Sequence, residues 1–245
     1  MHLSETTRVL LVEDDAMLTR IIRYYLENEE AYDISCAKTA GEALGLARKR
    51  FDVILMDVLL PDGDGVELCQ RLRQWHDCPV IFISCLDDSD TIVRALAGGG
   101  DDYIPKPFDN KVLAAHIQAN LRRYQAPQAA PTRQKGLSRG DFSLNADKHI
   151  VTHAGRRIQL SNIEYRLLFF LMTNEGQCYL PSELYENVWG CPCVGDTRTV
   201  LVHIHNLRQK IEEEPAHPRY LKLVWGEGYC FDSAGKEGTG KEEGA

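Results

Sequence analysis

No stretch of about 18 consecutive apolar residues occurs in this sequence, so it lacks the run that a membrane-spanning helix needs. Residues Met1 to Arg8 also lack a basic segment followed by an apolar stretch, and no signal peptide is read there. The expectation is a cytoplasmic protein with no membrane partner. Positive charge is in deficit too: 28 Lys and Arg face 36 Asp and Glu, for a net charge of −8. That balance excludes a protein that coats nucleic acid with a uniformly basic surface. The eight cysteines (Cys36, Cys69, Cys78, Cys85, Cys178, Cys191, Cys193, Cys230) lack the spacing of a disulfide framework, and the chain, 44% hydrophobic, can build its own core. The one close pair, Cys191-Pro192-Cys193, has no second Cys or His pair at finger spacing after it. A plain loop is expected there in preference to a metal or redox site.

Two patterns follow one another along the chain. In residues 1–125, the runs Arg8–Val12, Asp33–Ala37, Val53–Met56, Val80–Ile83 and Tyr103–Ile104 read as strands. Between them, Ala16–Asn28, Ala40–Arg50, Gly65–Trp75, Ser89–Gly98 and Asn110–Tyr124 repeat apolar residues at three- and four-residue spacing, as amphipathic helices do. Five such units predict an α/β domain, a parallel sheet doubly wound with helices on both faces. Gln125–Gly136, rich in Pro, Gln and Ala, reads as a flexible linker, which places the linker at 126–137. Residues 138–232 then predict a smaller α+β domain. Its strands are Phe142–Leu144, His149–Thr152 and Arg157–Gln159, its helices Asn162–Asn174, Pro181–Val188 and Thr197–Glu214, and it closes on a hairpin around Gly226-Glu227-Gly228. Residues 233–245 read as a disordered tail. Residues 1–125 carry 14 basic and 21 acidic side chains and residues 138–232 carry 10 and 12, so the acidity sits mainly in the first half.

In an open parallel sheet, ligands sit beyond the carboxyl ends of the strands. Here those ends are chemically unusual. The first strand leads into Glu13-Asp14-Asp15, the third into Asp57, the fourth into Ser84 and the fifth into Lys106. Clustered carboxylates repel unless a cation neutralises them, and an all-oxygen set suits a hard ion such as magnesium. A nucleophilic Asp, a metal, a Lys and a hydroxyl are what phosphoryl transfer to a carboxylate needs. Asp57 stands alone after the apolar Val53-Ile54-Leu55-Met56 and is the nucleophile candidate, while Asp14 and Asp15 read as metal holders.

At these motifs the chain resembles a known family. Residues 8–124 are similar to the receiver domain of response regulators through Val12-Glu13-Asp14-Asp15, Leu55–Gly63, Ser84 and Gly99–Phe108. The resemblance implies Asp57 as phosphoacceptor, magnesium held by Asp14, Asp15, Asp57 and the Leu59 carbonyl, and Ser84 and Lys106 as phosphate binders. It also implies a cis Lys106–Pro107 bond and a switch in which Ser84 moves toward the phosphate and the Tyr103 ring turns into the vacated space. The dimerising face of such receivers is charged. This chain retains Arg94, Asp101, Asp102, Lys111, Arg122 and Arg123 but has Ala97, Val112 and His116 where the family carries charge.

The helix Thr197–Glu214 has an apolar stripe of Val200, Leu201, Ile204, Leu207 and Ile211, and its other face presents Arg198, Thr199, His203, His205, Asn206, Arg208 and Lys210. Such a face can bind phosphates and reach base edges in a major groove, whereas Glu212-Glu213-Glu214 would repel a phosphate backbone. Residues 138–232 resemble the winged-helix output domain of OmpR/PhoB-type regulators through Leu160–Leu168, Val188-Trp189-Gly190, Arg198-Thr199-Val200, Leu207–Ile211 and Gly226–Tyr229. That implies a recognition helix in double-stranded DNA and a hairpin at the adjacent minor groove. Trp225, where relatives carry Arg, either stacks at the DNA backbone or packs inward.

The resemblance therefore implies a two-component transcription regulator. A sensor histidine kinase is its upstream partner, a homodimer forms on phosphorylation, and the loop Trp189–Asp196 lies where relatives can touch RNA polymerase. Two alternatives stand beside it. One is a regulator that binds DNA without phosphorylation. The other is an aspartyl-phosphate phosphatase, which needs an acid two residues after its nucleophile, and that position here is Leu59. No enzyme with turnover is expected.

Overall fold

A computed structural model describes residues 6–125, 137–145, 150–193 and 197–234. The chain divides into two compact units, residues 1–127 and 128–245. The expected linker through Gly136, the start of a strand at His149, the end of the loop after Trp189 and the tail beyond Ala234 fall outside the described residues. Among the described residues no helix is long and apolar enough to cross a membrane.

The first unit runs β1 (Arg8–Val12), α1 (Ala16–Glu29), β2 (Asp33–Ala37), α2 (Ala40–Gly45), β3 (Val53–Met56), the two-residue strands β4 (Leu59–Leu60) and β5 (Gly63–Asp64), α3 (Gly65–Leu72), β6 (Val80–Ser84), α4 (Ser89–Ala97), β7 (Asp102–Pro105) and α5 (Asn110–Gln125). Its five-stranded sheet has the order β2-β1-β3-β6-β7, with every neighbouring pair parallel. Polar caps start the helices: side chains of Asp15, Thr39, Asp64 and Asp88 accept first-turn N–H groups of α1, α2, α3 and α4. One sheet face packs Val9, Leu11, Leu55 and Ile83 against Ile22, Leu26, Leu113 and Ile117 of α1 and α5. The alternate residues Leu10, Ile54, Met56 and Phe82 are equally buried on the other face. Each such side chain contributes about 1.5–3 kcal/mol by leaving water. Two helices end early. At Leu46, Ala47 and Lys49, and again at Gln74 and Trp75, the N–H groups bond to the third residue back, and the α-helices end at Gly45 and Leu72, short of the expected Arg50 and Trp75.

The second unit opens with an antiparallel sheet of order β11-β10-β9-β8, formed by β8 (Leu137–Arg139), β9 (Phe142–Asn145), β10 (Ile150–His153) and β11 (Arg156–Gln159). Strand β8 was not expected, because it is three residues long and adjoins linker-like sequence. Helices α6 (Asn162–Thr173), α7 (Pro181–Trp189) and α8 (Arg198–Ile211) and the hairpin β12 (Leu221–Val224) and β13 (Gly228–Phe231) follow. A reciprocal cap starts α6: Ser161 Oγ accepts from Glu164 N at 3.3 Å, and Glu164 Oε2 accepts from Ser161 N at 2.8 Å. Phe142 meets Tyr220 and Phe231 edge-on, with centroids 4.8 and 5.3 Å away, and so joins the sheet to the hairpin. Helix α8 stops three residues short of the expected Glu214. Glu212 turns extended, and its buried carboxylate accepts N–H groups of Arg219 (2.8 Å), Tyr220 (3.0 Å) and Leu221 (2.8 Å), fixing the start of β12.

Candidate functional site

Parallel pairing brings the carboxyl ends of β1, β3, β6 and β7 to one edge, and the polar residues beyond them converge there. Asp57 is buried, with its N–H bonded to Val12 O at 2.9 Å and its Oδ1 accepting from Leu59 N at 3.1 Å. Lys106 follows β7 across a cis bond to Pro107 and reaches into the cluster. Its Nζ donates to Asp57 Oδ2 at 2.6 Å and to Glu13 Oε2 at 2.7 Å. Burial opposes the ammonium charge, but the two carboxylates outweigh it and hold the Lys106 pKa above its ordinary value. Burial likewise pushes the Glu13 carboxyl up, against the pull of Lys106. Gly65 opens α3 directly beneath this site, where any Cβ would fall 2.0 Å from the Asp57 carbonyl oxygen.

Glu13, Asp14 and Asp57 each bring a carboxylate oxygen within 4.8 Å of the others. An oxygen-only, anionic donor set of this kind fits a hard divalent ion. Asp15, expected beside Asp14 as a metal holder, lies outside this group. Its Oδ1 accepts from Met17 N (2.8 Å) and Leu18 N (3.0 Å), and these bonds hold its pKa below the ordinary carboxylate range. Asp15 is committed to capping α1, while Glu13 points inward to Lys106. Leu59 is exposed on β4, next to Asp57.

Ser84, at the end of β6, is fully buried, and its Oγ accepts from Leu86 N at 3.4 Å. Tyr103 is also buried, stacked on Phe82 with centroids 6.4 Å apart, and its hydroxyl donates to the Leu86 carbonyl. Both switch candidates thus hold the same residue, Leu86. The face expected to be charged has turned partly inward. Arg73 binds Asp101 at 2.6 Å, and the buried Asp102 carboxylate accepts from His116 Nδ1 (2.8 Å) and Asn120 Nδ2 (3.2 Å). Arg94 pairs with Asp64. Lys111 and Arg122 remain exposed, and the side chain of Arg123 is outside the described residues.

On α8 the expected polar face divides. His205 is exposed, and Arg198, Asn206 and Lys210 are half-buried. Thr199 and His203 are buried, which corrects the expectation that they face a nucleic acid. They lie four residues apart beside Val200 and Ile204, and the His203 ring packs 5.5 Å from that of Trp189, so the helical period carries them into the core. Arg208 Nε and Nη2 donate to the Leu221 carbonyl at 3.0 and 2.8 Å, under a 5.5 Å contact with the Tyr229 ring, so this side chain braces the hairpin. Lys210 Nζ binds Glu164 Oε2 at 2.6 Å. Leu201, read as core, is 40% exposed, and Gln209 joins it and His205 on a stripe of four-residue spacing, the signal that a ranking by side-chain chemistry missed. Trp225 is 96% exposed at the hairpin tip, so it does not pack inward.

Comparison with known proteins agrees with this architecture. The family model for the response regulator receiver domain matches residues 9–118, and that for the C-terminal domain of transcriptional regulatory proteins matches residues 155–231. The chain is 34% identical over 231 residues to the uncharacterized transcriptional regulatory protein YrkP of Bacillus subtilis, covering 93% of this chain and 99% of the relative. It is also 34% identical over 238 residues to the DNA-binding dual master transcriptional regulator RpaA of Synechocystis, covering 95% and 98%. A solved RitR mutant superposes with a TM-score of 0.66 at 25% identity, covering 92% of this chain and 99% of that one. With a receiver-type parallel sheet, a winged-helix unit and full-length relatives of the same construction, the chain belongs to the OmpR/PhoB-type response regulators.

Proposed function

We propose that Asp57 accepts a phosphoryl group from a partner sensor histidine kinase and that this modification controls dimerisation and sequence-specific binding of double-stranded DNA. The observation that carries the reading is the Asp57 carboxylate held at 2.6 Å from Lys106, beside Glu13 and Asp14. In the transfer, an Asp57 carboxylate oxygen forms a bond to phosphorus while the P–N bond of the donor phosphohistidine breaks, and the released imidazole takes up a proton. Lys106 stays protonated throughout and counters the charge gathering on the phosphoryl oxygens. A magnesium ion held by Glu13, Asp14, Asp57 and the Leu59 carbonyl would neutralise the remaining phosphoryl charge.

The phosphoryl oxygens then compete with Leu86 N for the Ser84 hydroxyl. Releasing that bond loosens the Leu86 segment to which Tyr103 is tied, and the change passes to α4 and β7. Two copies pair through that face and place two winged helices on repeated half-sites. In this reading residues 1–125 are the receiver and 138–232 the DNA-binding domain. Arg198, His205 and Asn206 approach the major groove, Trp225 approaches the flanking minor groove, and the loop after Trp189 is the surface for RNA polymerase.

The test is intact mass after incubation with acetyl phosphate, with and without magnesium, for the wild-type chain and Asp57→Ala. One adduct of about 80 Da, magnesium-dependent and lost in the variant, is the expected result. Its absence from the wild type under both conditions refutes phosphotransfer and leaves the phosphorylation-independent regulator as the reading. Steady release of inorganic phosphate at many turnovers per minute would instead indicate a phosphatase.

A further inference from the structure

Cys178 and Cys230 are far apart in sequence and meet across a strand pairing. Tyr179 and Tyr229 form an antiparallel bridge in which each donates to the other, N to O, at 3.0 and 2.8 Å. A pair exchanging both bonds is followed by one that exchanges none, where the two Cα atoms come closest and the side chains share a face. Register places Cys178 opposite Cys230 at that position. Gly176 N, bonded to Phe231 O at 2.9 Å, closes the pairing on the far side. The approach is tight: a Cβ on Gly228 would lie 2.0 Å from the Tyr179 carbonyl oxygen. The Cys230 thiol and the Glu227 carboxylate lie close enough to Cys178 that both disfavour its thiolate. Both cysteines are free thiols, Cys178 partly accessible and Cys230 buried. Closely spaced cross-strand pairs of this kind fall within the Cα separations a disulfide accepts.

We propose that Cys178 and Cys230 are a redox modification site, in which a hydroperoxide oxidises the pair to a disulfide that fastens β13 of the wing to the segment entering α7. The Cys178 thiolate attacks the peroxide, breaking the O–O bond to give a sulfenic acid and water (or an alcohol). The Cys230 sulfur then displaces hydroxide from the sulfenic sulfur, which leaves as a second water with the thiol proton, so two thiols lose two electrons and the peroxide gains them. Burial, then the neighbouring Cys230 and Glu227, raise the Cys178 pKa, so only a small thiolate fraction exists at neutral pH. Oxidation is therefore slow at pH 7 and quickens about tenfold per pH unit as the solution is made alkaline. The site is independent of the phosphotransfer reading, and neither outcome of the Asp57 test bears on it.

The experiment treats the full chain with hydrogen peroxide, alkylates the remaining thiols and digests without reductant. The expected product is a peptide pair joined through Cys178 and Cys230, about 2 Da lighter than its reduced parts and separated by dithiothreitol. Cys178→Ser leaves Cys230 alkylated. Closing a loop of about 50 residues raises the thermal midpoint of the second unit by roughly 10 °C in the oxidised wild type and not in the variant. Mapping on the wild type does not depend on how well the variant folds. A link between Cys191 and Cys193 instead, or Cys178 carried to sulfinic acid with Cys230 still alkylated, would overturn the proposal.

Discussion

The carboxyl edge of the receiver sheet and the polar side of α8 treat their functional candidates differently. At the sheet edge, residues drawn from four separate chain segments converge: Glu13, Asp57 and Lys106 are within hydrogen-bond reach of one another or of a shared partner, and Ser84 ends the neighbouring strand. On α8, residues from one short segment disperse, with Thr199 and His203 in the core and Arg208 and Lys210 bonded within the domain. In a parallel sheet the topology leaves a polar residue beyond a strand end one place to go. On a helix each residue turns by about 100°, so a polar side chain faces wherever the period sends it. Position in the fold, more than side-chain chemistry, decides which candidates remain available.

The largest expected effect lies at Lys106. Lys106→Met leaves the buried Glu13 and Asp57 carboxylates without their cation, and the receiver should lose about 3 kcal/mol of unfolding free energy at neutral pH in metal-free buffer. Urea denaturation measures this, and added magnesium should recover part of the loss. A variant as stable as the wild type would mean the site is not electrostatically closed.

In the other unit, Glu212→Gln is expected to cost about 2 kcal/mol, because one amide oxygen cannot satisfy the N–H groups of Arg219, Tyr220 and Leu221 together. Solvent exchange of those amides, followed by NMR, should speed up. His203→Ala and His205→Ala sharpen the contrast within one helix. The first should lower stability by about 2 kcal/mol, since it opens a cavity beside Trp189. The second should leave stability unchanged while weakening DNA binding about fivefold, near 1 kcal/mol. The reverse assignment would invert the face of α8 proposed to meet DNA.

The smallest effect concerns acid. The N–H groups of Gly41 and Ala40 hold the Asp62 carboxyl below its ordinary value of 3.8. A depressed folded pKa gives stability that is present above the unfolded value and is lost as pH falls through the lower folded one. Asp62→Asn should therefore flatten the acid limb of the receiver's thermal midpoint below about pH 4, while Glu13, raised by burial, contributes with the opposite sign.

Most of the receiver was legible in the sequence. Its strands alternate with helical periods, and Asp57, Ser84 and Lys106 sit where strand ends place them. The sequence could not allocate the acidic triplet: Glu13, Asp14 and Asp15 are chemically alike, and only the cap geometry of α1 shows which carboxylate is spent on backbone N–H groups. Asp101 and Asp102 read as surface charges because their partners Arg73 and His116 lie 28 and 14 residues away. In the second unit, the boundary of α8 was hidden because Glu212-Glu213-Glu214 favours helix locally, and the tertiary bonds of Glu212 to β12 override that preference. Strand β8 carries too few residues for any period to register.

The proposed coupling makes a charge change at Asp57 control the DNA affinity of α8. It is tested most directly by measuring the affinity of the full chain for DNA selected from a random-sequence library, before and after acetyl phosphate treatment with magnesium, alongside Asp57→Asn. Phosphorylated wild type should bind about tenfold more tightly than untreated protein, and the variant should not respond. A wild-type chain that is fully phosphorylated by mass yet binds with unchanged affinity would contradict it.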